Sequence, residues 1–188
     1  MVRAMTCALL CLMLLAPGVA RAQETSGWLR EPLPAASIHL AEPDADEIVV
    51  VINDNALGGN HAGLFAGNLL IDPAGSYMGM RERDKAWPGP SLADYAHYQT
   101  TDGPKVRFYR FRPDTQTFKT IASRMRDAGP TPPLFCAVTV QNLLAGLAPF
   151  PGIESVGFTT PSALGRRLDT LVRQGGTGEC QRLDGTPC

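Results

Sequence analysis

The chain has little with which to hold a metal or a nucleotide. It carries three histidines and five cysteines in 188 residues, and these never fall at metal-ligand spacing. Its glycines make no phosphate cradle: Gly58-Gly59 belongs to a loop, and no G-x-x-x-x-G-K-[ST] motif follows. Neither a metal nor another cofactor is expected. A formal charge of −1 argues against nucleic acid as a main partner. The acidic stretch from Glu42 to Glu47 lacks the ligand loop of a calcium site and reads as a solvated turn. Beyond the first 22 residues no apolar run is long enough to cross a bilayer. There is no internal repeat and no low-complexity tract.

What is present begins with an address. Arg3 makes the start positive, Cys7 to Leu15 is an apolar run, and Pro17-Gly18 leads to Ala20-Arg21-Ala22, an A-x-A cleavage pattern. Residues 1–22 therefore read as a signal peptide, and the mature protein is expected in the periplasm or outside the cell. Leu10 and Thr6 precede the two leader cysteines where a lipid anchor requires a small residue. Removing 22 of 188 residues leaves 166, and losing Arg3 and Arg21 takes the charge from −1 to −3. That length suits a single domain, 23–188, burying roughly 70% of its unfolded surface.

Three cysteines remain: Cys136, Cys180 and Cys188. In an oxidising compartment pairs form and persist. Cys180 and Cys188 flank a short polar loop and are the expected disulfide, stapling the C-terminal tail. Cys136 is left as the odd thiol, which raises the question of reactivity.

The order of elements points to an α+β fold. After a loose lead-in near Trp28, Ser37 to Leu40 reads as a short strand. Glu47 to Asn53 is β-branched and apolar, a strand. His61 to Phe65 and Leu69 to Asp72 flank a tight turn and read as a hairpin. Ser91 and Asp94 suggest a capped helix bearing Tyr95 and Tyr98. Lys105 to Phe111 alternates as a half-buried strand. Asp114 caps a helix to about Ala128. Thr131 is read as the cap of the cysteine helix, with Pro132 and Pro133 in its first turn and its end near Leu147. A last helix runs from Thr160-Pro161 to Arg173.

A cysteine hydrolase needs a thiolate, an imidazole in reach of it and a polar group that orients the imidazole. Cys136, near the positive end of a helix, suits the first role; a buried free cysteine is the plain alternative. His61, opening a strand, suits the second. Asp72 suits the third, since one hairpin brings it beside His61, although Asp72-Pro73 is also ordinary turn chemistry. The N–H of Cys136 is a candidate oxyanion donor. Ser76 and Tyr77 are candidates to touch substrate. Tyr77, Tyr95 and Tyr98 read as core or rim packing, with a substrate groove as the alternative. His39 and His97 read as structural or surface residues.

At these positions, HAGLFAGNLLIDPAG and later a helix-initial cysteine, the chain resembles the circularly permuted branch of the papain-like NlpC superfamily, which includes the lecithin:retinol acyltransferase group. The resemblance spans roughly residues 47–147. It implies a permuted papain-like fold, with an antiparallel sheet packed on the helix that bears the cysteine. It also implies Cys136 as nucleophile, His61 as base and Asp72 as third residue. Two positions depart from the acyltransferase group, where histidine replaces Asp72 and asparagine replaces Phe135. The expected activity is that of an exported thiol hydrolase cleaving an amide, such as a murein peptide crosslink or stem. The alternatives are acyl transfer or ester cleavage on a lipid, and an exported binding domain without catalysis.

Overall fold

The computed structural model describes residues 37–75, 77, 86–155, 157–175 and 178–188. The expected signal peptide, the lead-in around Trp28 and Ser76 lie outside the described residues. The strands are β1 (Ile48–Asn53), β2 (His61–Ala66), β3 (Leu69–Ile71), β4 (Trp87–Pro88), β5 (Val106–Phe111) and β6 (Gly178–Arg182). The helices are α1 (Leu92–Gln99), α2 (Thr115–Asp127), α3 (Cys136–Leu144) and α4 (Pro161–Gly175). The fold is mixed α+β. The strands form one antiparallel sheet in the order β4-β3-β2-β1-β5-β6.

Every residue of β1 is buried, because both faces of the sheet are covered at its centre. Side chains alternate along a strand. Ile48, Val50 and Ile52 point into one core with Ala62, Leu64, Tyr109 and Phe111. That core is closed by Ile121 and Met125 of α2, Val140 and Leu144 of α3, and Leu164 and Leu168 of α4. Val49 and Val51 point the other way, into a second core with Phe65, Phe108, Leu183 and α1 residues Leu92, Tyr95 and Ala96. Three helices thus lie on one face and α1 on the other.

Caps account for several helix starts. Ser91 Oγ accepts the Asp94 N–H at 3.0 Å, and Glu42 accepts the Leu92 N–H at 2.7 Å. Asp114 Oδ1 accepts from Gln116 and Thr117 at 2.9 and 3.0 Å, and Thr160 Oγ1 from Ala163 at 3.2 Å.

Four expectations are corrected. Thr131 does not cap α3; the helix starts at Cys136 with Phe135 as its cap. A proline disfavours helical backbone in the residue before it, so Pro133 keeps Pro132 out of a helix, and Leu134 takes a left-handed φ of 72°. Ser37 to Leu40 is not a strand; the His39 N–H donates to the Leu183 carbonyl at 2.8 Å, and Ile38 and Leu40 pack against the second core. The acidic stretch is not wholly solvated, since Glu47 is buried and paired with Arg110 at 2.6 Å. The tail is not simply a loop, because Cys180 lies on β6, paired with β5. The Cys180–Cys188 disulfide is formed. Around it the chain doubles back: Gln181 bridges Pro187, and the Arg182 and Cys188 N–H groups donate to the Thr186 and Cys180 carbonyls at 2.8 and 3.0 Å. Among the described residues no helix is long and apolar enough to cross a membrane.

Candidate active site

His61 opens β2, and its place is set by pairing with Asn53 at the end of β1. Asn53 is itself fixed. Its buried amide donates to the Gln99 carbonyl and side chain at 3.0 Å each, and its oxygen accepts from the Asn55 side chain at 2.8 Å. The Asn60 N–H closes the loop on the Asn53 carbonyl at 2.7 Å. A polar plug of side chains thereby fixes where β2 begins.

Asp72 follows β3. The β2–β3 register pairs Leu64 with Ile71, and one more step sets Asp72 across from Gly63. Residues two apart share a face, so His61 lies diagonally from Asp72 on that face. The two side chains meet: His61 Nε2 and Asp72 Oδ1 are 2.6 Å apart. The Tyr95 hydroxyl donates to the same Oδ1 at 2.6 Å, and the Tyr77 N–H donates to Oδ2 at 3.2 Å. Two glycines make the room. A Cβ on Gly63 would stand 2.3 Å from the Tyr95 hydroxyl oxygen, and one on Gly75 would stand 1.8 Å from Asp72 Oδ2.

Cys136 is the first residue of α3 and the only free cysteine among the described residues. Strand β3 covers only Leu64 to Ala66 of β2, so the earlier part of β2 is open to the helix start. There the sulfur interacts by hydrogen bond with the His61 side chain and with the N–H groups of Ala62 and Ala137. Because Nε2 faces Asp72, Nδ1 is the ring nitrogen left for the sulfur. The structure thus brings together Cys136, His61 and Asp72, residues 75 and 11 positions apart for the two pairs (136 − 61 and 72 − 61).

The electrostatics favour an ion pair. For Asp72, burial works against the charge, but the hydrogen bond and charge of His61, then Tyr95 and the Tyr77 N–H, hold its carboxyl below the ordinary 3.8. An ionised carboxylate only accepts, so Nε2 carries a proton. For His61, burial disfavours the imidazolium, but Asp72 and Cys136 outweigh it and raise the pKa from 6.5 to about 10. For Cys136, burial pushes the thiol up, while His61 and the Ala62 and Ala137 N–H groups pull it down, to a net value below 9.0. Both shifts run in the direction of a thiolate beside an imidazolium. His61 keeps 14% side-chain exposure against 4% for Asp72. The group can therefore present a nucleophilic sulfur beside a proton held on Nδ1.

Four large apolar side chains stand exposed among the described residues: Leu57 (106%), Leu134 (79%), Phe135 (40%) and Phe158 (61%). They lie on three loops that touch. The Phe135 and Phe158 rings meet edge to face at 5.6 Å, and the Ser162 N–H donates to the Gly58 carbonyl at 3.0 Å. Two of these loops lead directly into His61 and Cys136 and the third into α4, and residues 55–60, 129–135 and 157–160 carry no charged side chain.

The sequence reading missed the part played by Tyr95. Its one local signal was Gly63, a glycine inside an apolar strand, which often marks close approach by another group. Tyr77 is buried and reaches Asp72 through its backbone; Ser76 lies outside the described residues. His39 is exposed and His97 half-buried, away from this cluster of contacts. Among the described residues no cluster of side chains suits a metal ion. No protein-family model, curated protein or solved structure matches the chain.

Proposed function

We propose that the protein is a cysteine hydrolase acting on a carbonyl substrate, with Cys136 as nucleophile, His61 as general acid and base, and Asp72 orienting His61. One observation carries this reading: a single imidazole bridges a buried carboxylate at 2.6 Å and a free thiol at a helix start. Ion-pair clamps need no thiol, and buried structural cysteines need no imidazole.

In the first step the thiolate attacks the carbonyl carbon, forming an S–C bond as the carbonyl oxygen gains the negative charge. The Cys136 N–H, at the first position of α3 where an intrahelical partner is lacking, is the donor we assign to that oxygen. The intermediate collapses with cleavage of the C–N bond, and Nδ1–H of His61 protonates the departing amine. The acyl group is then a thioester on Cys136. Neutral His61 next takes a proton from water, whose oxygen attacks the thioester carbon; the acid leaves and the thiolate–imidazolium pair returns.

An amide in an exported compartment, such as a murein peptide, fits the signal-like leader, the disulfide and the likeness to permuted papain-like chains. A second reading, cleavage or transfer of a lipid acyl ester by the same thiol, is favoured by the uncharged loops bearing Leu57, Leu134, Phe135 and Phe158. The test is acyl-enzyme trapping. The protein is mixed with long- and short-chain p-nitrophenyl esters or with an amide-linked cell-wall peptide, quenched in acid and weighed by mass spectrometry. An adduct on Cys136 supports the thiol mechanism, and its chain-length or peptide preference separates the two readings. No adduct with any of these, together with slow iodoacetamide labelling at pH 6, would sink both.

A further inference from the structure

Tyr95 lies on α1, the helix covering the sheet face opposite to α2, α3 and α4. It is completely buried, and its ring packs edge to face on Phe65 at 5.6 Å and on Tyr77 at 5.2 Å. Its hydroxyl crosses Gly63, where a Cβ would come within 2.3 Å, and ends on Asp72 Oδ1 at 2.6 Å. That oxygen is the one bound to His61 Nε2, also at 2.6 Å. The other carboxylate oxygen is held by the Tyr77 N–H at 3.2 Å.

We propose that Tyr95 is a positioning residue of the thiol site: its hydroxyl locks the rotation of the Asp72 carboxylate and, through it, the orientation of the His61 ring toward Cys136. This rests on the reading of Cys136, His61 and Asp72 as the reacting group. A carboxylate turns about its terminal torsion, which is broad and soft, unless both oxygens are held. The backbone donor on Oδ2 is the longer contact, so the phenol supplies the firmer hold. With the carboxylate fixed, Nε2–H has one acceptor direction, and Nδ1 is aimed at the sulfur from the far side of the ring. The imidazole is then held between Cys136 at the α3 start and Asp72, which α1 braces through Tyr95. His61, Asp72, Cys136, Tyr77 and Tyr98 are the titratable groups around the phenol, and Asp94 faces its neighbour Tyr77.

A buried tyrosine needs a hydrogen-bond acceptor for structural reasons alone, so the test must read the thiol and not only the fold. The measurement is the iodoacetamide labelling rate of Cys136 in the whole folded protein as a function of pH, with thermal unfolding followed by circular dichroism alongside. Fast labelling of the wild type at pH 6 is the check on the underlying reading; its absence removes that reading and the positioning role together. Given fast wild-type labelling, Tyr95→Phe should move the acid limb of the profile upward by roughly half to one pH unit, or about three- to tenfold fewer thiolates on that limb. Gly63→Ala, which displaces the phenol while leaving Tyr95 and Asp72 in the chain, should shift it the same way. In an Asp72→Asn background, Tyr95→Phe should add no further shift. A folded Tyr95→Phe protein with an unmoved profile, or an equal added shift without Asp72, would overturn the proposal and leave Tyr95 a core residue.

Discussion

Two carboxylates in this protein are held by the same kinds of group and differ in consequence. Asp169 accepts the Tyr109 hydroxyl at 2.7 Å and the Arg107 guanidinium at 2.8 Å. Asp72 accepts the Tyr95 hydroxyl and the His61 ring, each at 2.6 Å. The third partner differs. Arg107 turns its remaining donors on Asp54 at 2.7 Å, whereas His61 turns its remaining nitrogen on a thiol. Guanidinium does not give up its proton at any working pH, so the first cluster is a fixed clamp that ties α4 to β5 and to the β1–β2 loop. Imidazole exists in two charge states, so the second cluster can pass a proton along. What separates the two clusters is thus less the burial of a carboxylate beside a tyrosine than the cation that completes the set.

The two clusters differ most at the sulfur. Cys136→Ala should lower any hydrolysis by roughly four orders of magnitude or more, and abolish iodoacetamide labelling near pH 6, while circular dichroism stays unchanged. Next comes His61→Gln, which removes the transferable proton. Labelling at pH 6 should fall on the order of 10²-fold as the thiol returns toward its ordinary range; a rate like that of the wild type would mean His61 does not activate the sulfur.

Asp72→Asn should cost less, about 10- to 100-fold in turnover, and it carries a pH signature. The imidazolium, raised from 6.5 to about 10, adds stability that is complete below pH 6.5 and fades as pH climbs through about 10. Asp72, depressed below 3.8, adds stability that is present above 3.8 and fades as pH drops through its lower folded value. The gap in urea midpoint between wild type and Asp72→Asn should therefore be wide near pH 6 and close toward both extremes; a gap constant with pH contradicts the pairing. The smallest effect belongs to the clamp. Tyr109→Phe should cost about 1 kcal/mol of stability and leave the labelling profile of Cys136 where it was. A shifted profile would mean the two clusters are coupled through the sheet.

Much of this was legible before folding. The β-branched run of β1 could hardly be anything but a buried strand, and a short turn between His61–Phe65 and Leu69–Asp72 brings the two polar ends together whatever the rest does. The helix carrying Cys136 was visible, but its start was not, because Pro132-Pro133 looks like a first turn. The second proline disfavours it, and Leu134 spends roughly 1–3 kcal/mol of backbone strain in the left-handed region before the helix begins. Partners far apart along the chain stayed hidden. Tyr95 meets Asp72 at a separation of 23 residues, and Arg110 meets Glu47 at 63; no local periodicity records either. Strand β6 escaped because Gly178 to Arg182 is polar, and it forms by borrowing the ladder of β5 rather than by any pattern of its own.

The short doubled-back tail has a further effect. A sheet that ends in an unpaired strand is a template on which other chains can polymerise. Here the outermost strand at one margin is folded over by its own last residues, like a hem, with the Cys180–Cys188 link as the stitch. At the opposite margin β4 is two residues long and includes Pro88, which offers no N–H to a newcomer. Among the described residues both ends of the sheet are thus guarded against fibril-like growth, and a reducing agent unpicks the guard at only one of them.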